Sequence, residues 1–273
     1  MVRSEWARSR DSSGDEGVDV TDTVITEQVG RILITTLNRP QVHNAIDGEA
    51  ARGLARALDE LDENDSISVG ILTGAGQTFC AGMDLKAFLT GDTPEIPGRG
   101  LGGLTERPPR KPLIAAVEGW ALAGGLELML ACDMVVAGED AKFGVPEVKR
   151  ALVAGGGGAL RLPKLIPPAF AMELLLTGEP IDAARAAAMG LVNRVVPTGE
   201  ALDTARELAA VIAGNGPLAV AATKEIARHT SDWTEKEGWV EQRRLMETVN
   251  NSSDAKEGAL AFTERRHPQW RGE

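Results

Sequence analysis

The apolar positions of the chain divide it into a first part dense in short β-branched runs and a last third dense in helical stripes. Arg31–Leu37 (RILITTL) is short and β-branched, which predicts a strand ended by Asn38-Arg-Pro40. From Asp47 to Asn64 the apolar residues Ala50, Leu54, Ala57, Leu58 and Leu61 fall at helical spacing, with Asp47 as N-cap. Ser68–Thr73 reads as a second strand, followed by the turn Gly74-Ala-Gly76. The Gly- and Pro-rich stretch from Gly91 to Pro109 reads as a mobile or ligand-facing loop. Leu113–Val117 is a buried strand, Leu122–Ala131 a helix and Met134–Ala137 a strand. Strands alternating with helices predict an α/β architecture with crossover connections. Beyond about residue 165, Ala-rich helices are expected at 168–177, 182–188, 200–213, 217–229, 233–250 and 254–265, interrupted by one strand at Leu191–Val196. Their apolar stripes exceed what one core can cover, so this third is expected to pack against a neighbouring subunit. Residues 1–22 are polar and without periodicity, and are expected to be a disordered leader.

Composition narrows the class. Of 273 residues, 43% are hydrophobic and 25% charged, which excludes a disordered chain and permits a sizeable core. Asp+Glu 40 against Lys+Arg 29 leaves a net charge of −11, a field that repels nucleic-acid backbones. An anionic ligand therefore needs a local basic patch. The two cysteines, Cys80 and Cys132, form no CxxC, and no Cys/His cluster has zinc-ligand spacing, so no metal is expected. The most apolar stretch, Pro112 to Ala137, is broken by Glu118, Glu127 and Asp133, too often for a bilayer span. With no apolar signal segment at the start, the expectation is a cytoplasmic protein with neither a membrane nor a nucleic acid as partner.

Three segments place reactive or polarising groups beside glycine. In Thr78-Phe-Cys-Ala-Gly-Met-Asp84 an irregular loop at Ala81-Gly82 can leave a backbone N–H pointing into a cleft. Cys80 reads as a small packing residue sooner than a nucleophile, and Asp84 as a loop or cap residue sooner than a catalytic acid. In the segment from Ala115 to Asp133 a strand runs into Gly124-Gly125, which open a helix whose free N–H groups suit a developing anion. Glu127, three positions on, is either a capping-box glutamate or a catalytic one. In Lys142–Arg150, Glu147 follows a proline and reads by itself as a carboxylate favoured by a helix dipole. The run Gly155–Gly158 matches neither GxxxxGK[ST] nor, closely, GxGxxG, so nucleotide binding of those kinds is rejected. Together, two carboxylates beside Gly-rich turns and two backbone N–H groups are the equipment for moving a proton next to a thioester carbonyl.

These residues resemble the crotonase superfamily, the enoyl-CoA hydratase/isomerase family. The resemblance is carried by Leu37-Asn-Arg-Pro40 with Asn44-Ala45, Phe79-Cys-Ala-Gly-Met-Asp84, Lys111–Val117, Ala123-Gly-Gly-Leu-Glu-Leu128 with Cys132-Asp133, and Phe143-Gly-Val-Pro-Glu147. It continues through Leu176-Thr-Gly178, Ala188–Asn193, Val195-Val-Pro197 and the tail Phe262–Trp270, and so covers residues 23 to the end. It implies an α/β fold with a crotonase-like ββα spiral core over 23–200 and a helical C-terminal assembly region over 201–273, in a homotrimer or dimer of trimers. It implies an acyl-CoA substrate and no separate cofactor, coenzyme A being part of the substrate. By position it places the oxyanion-hole donors at the N–H groups of Ala81 and Gly124, with Ala81, Gly82, Met83, Asp84 and Gly124 against the substrate. Glu127 would activate water for attack at C3 and Glu147 would deliver the proton to C2, which implies reversible hydration of a 2-enoyl-CoA in acyl degradation.

The sequence also departs from the family pattern. Where hydratases commonly carry Pro and then Thr-Gln, this chain has Ala154 and Ala159-Leu160, in a segment that the resemblance places on the acyl pocket. Glu118 stands where Asn is common. Lys86 and the cluster Arg107–Lys111 are candidate cations for the coenzyme A phosphates. The alternatives are isomerisation of a 3-enoyl to a 2-enoyl thioester, which needs one proton-shuttling carboxylate, and a silent acyl-CoA-binding member.

Overall fold

The computed structural model describes residues 22–273, so the leader expected over 1–22 lies outside the described residues except for Asp22. A hairpin of β1 (Val24–Val29) and β2 (Ile32–Leu37) opens the chain. Helix α1 (Gly48–Glu63) leads from it into β3 (Val69–Gly74), β6 (Leu113–Val117), β8 (Met134–Gly138) and β11 (Arg194–Val196), which complete one six-stranded sheet. Its order is β1-β2-β3-β6-β8-β11, antiparallel at the first pair and parallel at the others. β1, whose outer positions are solvated, carries too little apolar signal to be read from sequence.

Why the strands read as continuous apolar runs is explained by what covers them. On one face Ile32, Ile34, Val69, Ile71, Ile114, Ala116 and Val136 meet Ala201, Ala205 and Ala209 of α7 (Ala201–Ala213). On the other, Leu33, Leu72, Leu113 and Ala115 join Leu54, Leu58 and Leu61 of α1 and the apolar α3 (Gly124–Ala131) in the larger core. A parallel sheet covered on both sides needs apolar residues at every position. Helix α7, although within the C-terminal third, thus packs on the sheet. The remaining C-terminal helices are α8 (Pro217–His229), α9 (Glu235–Asn250) and α10 (Ser253–Glu264).

A second, three-stranded sheet in the order β10-β9-β7 supports the site: β7 (Trp120–Leu122), β9 (Lys142–Gly144) and β10 (Ile181–Asp182). Trp120–Leu122 is thus strand and the helix starts at Gly124, two residues later than its apolar pattern suggests, because Leu122 pairs with Gly144. The stretch 91–109, read as a mobile or ligand-facing loop, contains regular structure. It holds the hairpin β4 (Glu95–Ile96)–β5 (Gly100–Leu101), and its Arg99 bonds the Asp59 carboxylate of α1 at 2.7 and 2.8 Å. Two short helices were not expected: α2 (Leu85–Leu89) and α4 (Gly158–Leu165). Helices α5 (Pro168–Thr177) and α6 (Ala183–Ala188) fall where their apolar spacing places them.

Candidate active site

The site forms where three backbone segments meet edge to edge. Residues 78–84 run between the 43–46 turn and β7, bonded on one side through Phe79 N–H to Glu118 O (2.8 Å), Cys80 N–H to Trp120 O (3.0 Å) and Leu122 N–H to Cys80 O (3.0 Å). On the other side Ala81 N–H donates to His43 O (3.0 Å), Ile46 N–H to Gly82 O (2.8 Å) and Asp84 N–H to Ile46 O (2.9 Å). Gly125 is required here: a Cβ on it would stand 2.1 Å from Cys80 O. Ala123, at φ +51°, turns β7 sharply into α3 in a conformation that costs a non-glycine residue about 1–3 kcal/mol.

This geometry corrects the donor expected at Ala81. Its N–H is already spent on His43 O, and that of Gly82 lies 3.4 Å from Cys80 Sγ. Among the described residues the Met83 N–H has no acceptor, and Gly124 N–H, as the first of a helix, has none within the helix. The two are neighbours: a Cβ on Gly82 would lie 3.0 Å from Gly124 N, and one on Gly124 would lie 3.5 Å from Met83 N. Met83 and Gly124 therefore form the pair of unspent donors. Which N–H of the 81–84 loop stays free depends on where the distant 43–46 carbonyls sit, and no local sequence signal carries that.

Glu127 is not a capping-box residue. It is 3% exposed, and its Oε1 accepts from Gly158 N–H at 2.8 Å, while Ala123 N–H donates elsewhere, to Gly144 O. Burial pushes its carboxyl up to about 7, against the stabilising N–H groups of Gly158 and Gly156 and with the charge of Glu147 adding to the rise. The glycine run 155–158 is thus a cradle for a carboxylate of this chain: a Cβ on Gly156 would meet Glu127 Oε2 at 2.6 Å. Glu147 sits in a short 3₁₀ turn, Pro146–Arg150, half-buried, with Oε2 lacking a partner among the described residues. Burial raises its carboxyl too. The structure thus places Glu147 within electrostatic reach of Glu127. Glu95, which was not singled out from sequence, adds to the negative field on Glu127. It pairs directly across the hairpin from Leu101, whose side chain packs beside Gly124 and Gly156.

The other candidates have partners within the chain. Cys80 is fully buried, and burial pushes its thiol up to about 12, which removes it as a nucleophile. Asp84 caps α2 through Lys86 N–H and Ala87 N–H (3.0 and 3.3 Å). Arg110 and Lys111 bond Asp62 and Asn64 at the far end of α1 from Asp47, roughly 24 Å along a sixteen-residue helix, whereas Lys86 stays beside the site. Glu118 accepts from Ala201 N–H (3.0 Å) at the start of α7. The departing segment 150–162 contributes Gly155–Gly157, Leu160 and Arg161 to a groove of about 1260 Å³ that reaches α8. Among the described residues there is no group of three or more potential metal ligands and no helix long and apolar enough to cross a membrane.

A parallel sheet covered on both faces, with a helix start facing the one unspent N–H of the 81–84 loop, is the architecture of the crotonase fold. The chain belongs to the enoyl-CoA hydratase/isomerase family, whose model matches residues 27–273. It is 44% identical over 251 residues to the carnitinyl-CoA dehydratase of Proteus mirabilis (strain HI4320), covering 89% of this chain and 96% of that protein. Among solved structures, it superposes with TM-score 0.91 at 57% identity on an enoyl-CoA hydratase from Mycobacterium tuberculosis H37Rv (92% of this chain, 100% of that one). With a carnitinyl-CoA hydratase from Mycobacterium avium the TM-score is 0.74 at 41% identity (92% and 99%).

Proposed function

We propose that the protein reversibly hydrates a 2-enoyl-CoA to a 3-hydroxyacyl-CoA. The observation that carries this reading is the buried carboxylate of Glu127 with the half-buried Glu147 within its electrostatic reach, beside the two unspent N–H groups. The thioester oxygen accepts from Met83 N–H and Gly124 N–H, which draws electron density out of the C2=C3 bond. Glu127 takes a proton from water as its oxygen bonds to C3, and the resulting enolate is held by the same two donors. Glu147 gives its proton to C2, and the pair ends with the proton transferred from one carboxylate to the other. Coenzyme A leaves unchanged as part of the product, so the cycle needs no further cofactor.

Loss of the conjugated enoyl-thioester absorbance tests this, with short, medium and long 2-enoyl-CoA substrates. Wild type should turn over, and Glu127→Gln and Glu147→Gln should each fall by about 10²–10⁴-fold, the range for losing a positioned acid or base. Retained activity in Glu127→Gln alone would favour 3-enoyl to 2-enoyl isomerisation. Tight acyl-CoA binding without turnover would leave a silent binding member. A second reading of the natural direction, dehydration of carnitinyl-CoA, is supported by the relatives of that name at 44–45% identity and by the field of Glu95 at the site, so carnitinyl-CoA belongs in the assay. We further propose assembly as a homotrimer or dimer of trimers, supported by the apolar side chains that one chain leaves uncovered.

A further inference from the structure

The segment 39–47 is bonded to the donor loop through both backbone and side chains. Arg39 Nη2 lies 2.8 Å from Asp47 Oδ2 and 3.1 Å from Asp84 Oδ2. Each of those carboxylates uses its other oxygen as a helix cap: Asp47 Oδ1 accepts from Ala50 N–H at the start of α1, and Asp84 Oδ1 from Lys86 and Ala87 at the start of α2. One guanidinium thus joins the N-termini of two helices, while its Nη1 donates to Ala45 O. All three side chains are largely buried, at 14–16% exposure, so the pairing is little screened by water. The backbone beneath is held as firmly. Asn44, at φ +55° and fully buried, accepts from Arg39 N–H (2.9 Å) and donates to Ala75 O and Thr78 O.

We infer that Arg39 is a positioning residue of the oxyanion hole: by drawing the capping carboxylates of Asp47 and Asp84 together, it seats the 81–84 loop against the 43–46 carbonyls so that Met83 N–H alone is left free toward Gly124. The inference rests on the acyl-CoA reading of the site. It follows from the order of bonds along the loop. Ala81 and Asp84 N–H bracket Met83 and are fixed by His43 O and Ile46 O, so a displacement of segment 39–47 is a displacement of the donor itself. Misplacement by about 1 Å is enough to cost on the order of 10²-fold in rate. Lysine does not replace arginine here, because a single ammonium lacks the planar fork that spans Ala45 O and two carboxylates.

The test compares wild type, Arg39→Met, Arg39→Lys and Asp84→Asn. The last keeps Oδ1 as a cap and removes the ion pair, so it carries the test if Arg39→Met does not fold. Two readouts are taken: kcat and KM for hydration, and the carbonyl stretch of isotope-labelled butanoyl-CoA, a saturated thioester, bound to the enzyme. The expected result is a drop in kcat of about 10²-fold in Arg39→Met, with KM changing far less, because the donor acts mainly on the transition state. The wild-type downshift of the bound carbonyl stretch should shrink in parallel, with Arg39→Lys and Asp84→Asn intermediate. Folded variants with a wild-type carbonyl stretch would overturn the inference, whether kcat stays or falls, since a fall without that change is a merely structural effect. If wild type does not hydrate any enoyl-CoA, the functional reading fails, and the carbonyl stretch still decides the role of Arg39.

Discussion

At the scale of single residues, Glu127 is held against its own preference. Its folded carboxyl titrates near 7, well above the usual 4.5, so between those values the folded protein binds more protons than the unfolded chain. Stability therefore falls as pH rises through that window, by about 3 kcal/mol once Glu127 is ionised in both states. Glu127→Gln removes this cost, so the variant should be more stable than wild type at pH 8 and similar at pH 4, read by urea denaturation at both pH values. The same ionisation makes the base available while Glu147 must keep its proton, so hydration should rise with pH as Glu127 ionises and fall again as Glu147 does. The donor assignment has its own test, because main-chain groups can be replaced singly. An ester in place of the Met83 amide removes an N–H without a partner and should lower kcat by about 10²–10³-fold with little change in melting temperature. An ester at Ala81 removes a structural bond to His43 O, and should cost about 1 kcal/mol of stability first. The reverse pattern would restore Ala81 as the donor.

Among the elements, α7 shows how a helix is chosen by what lies under it. Its buried stripe is Ala201, Ala205 and Ala209, small enough to sit closely on Ile34, Ile71 and Ile114. Ala205→Leu keeps the helical propensity and the apolar character but overfills the contact. It should destabilise by about 1–3 kcal/mol in urea denaturation, with the α/β core unchanged by circular dichroism. The elements around the site were legible unequally. Asp47 as cap of α1, the strands at 31–37, 68–73 and 113–117, and the helix after Gly124 follow from local patterns and appear within two residues of expectation. The three-stranded sheet did not, because strands of two or three residues have too few positions to show a period, and β7 pairs with β9 across the whole of α3 and β8.

For the whole molecule, the uncovered apolar side chains matter most. Phe262 is 86% exposed, Val153 77% and Leu160 75%, and Trp239 and Phe170 are also exposed. Isolated exposed residues are ordinary, but this many on the helical third and the 150–160 segment favour burial against further copies. Sedimentation velocity should give three or six times the mass of one chain. A monomer that is active on enoyl-CoA would separate the site from the assembly.

The sequence by itself determined which segments are strand and helix where the apolar period is long enough, and its resemblance to a family picked out the two glutamates of the chemistry proposed here. It favoured packing for Cys80 and capping for Asp84, and the structure shows both. Only the tertiary structure decided that Met83 and not Ala81 keeps a free N–H, that Gly155–Gly158 cradle Glu127, and that Arg39 ties two helix starts together. Those outcomes depend on hydrogen bonds between segments 31 to 45 residues apart. A local pattern reports which groups a segment carries, but not which of them a distant carbonyl or guanidinium has already claimed.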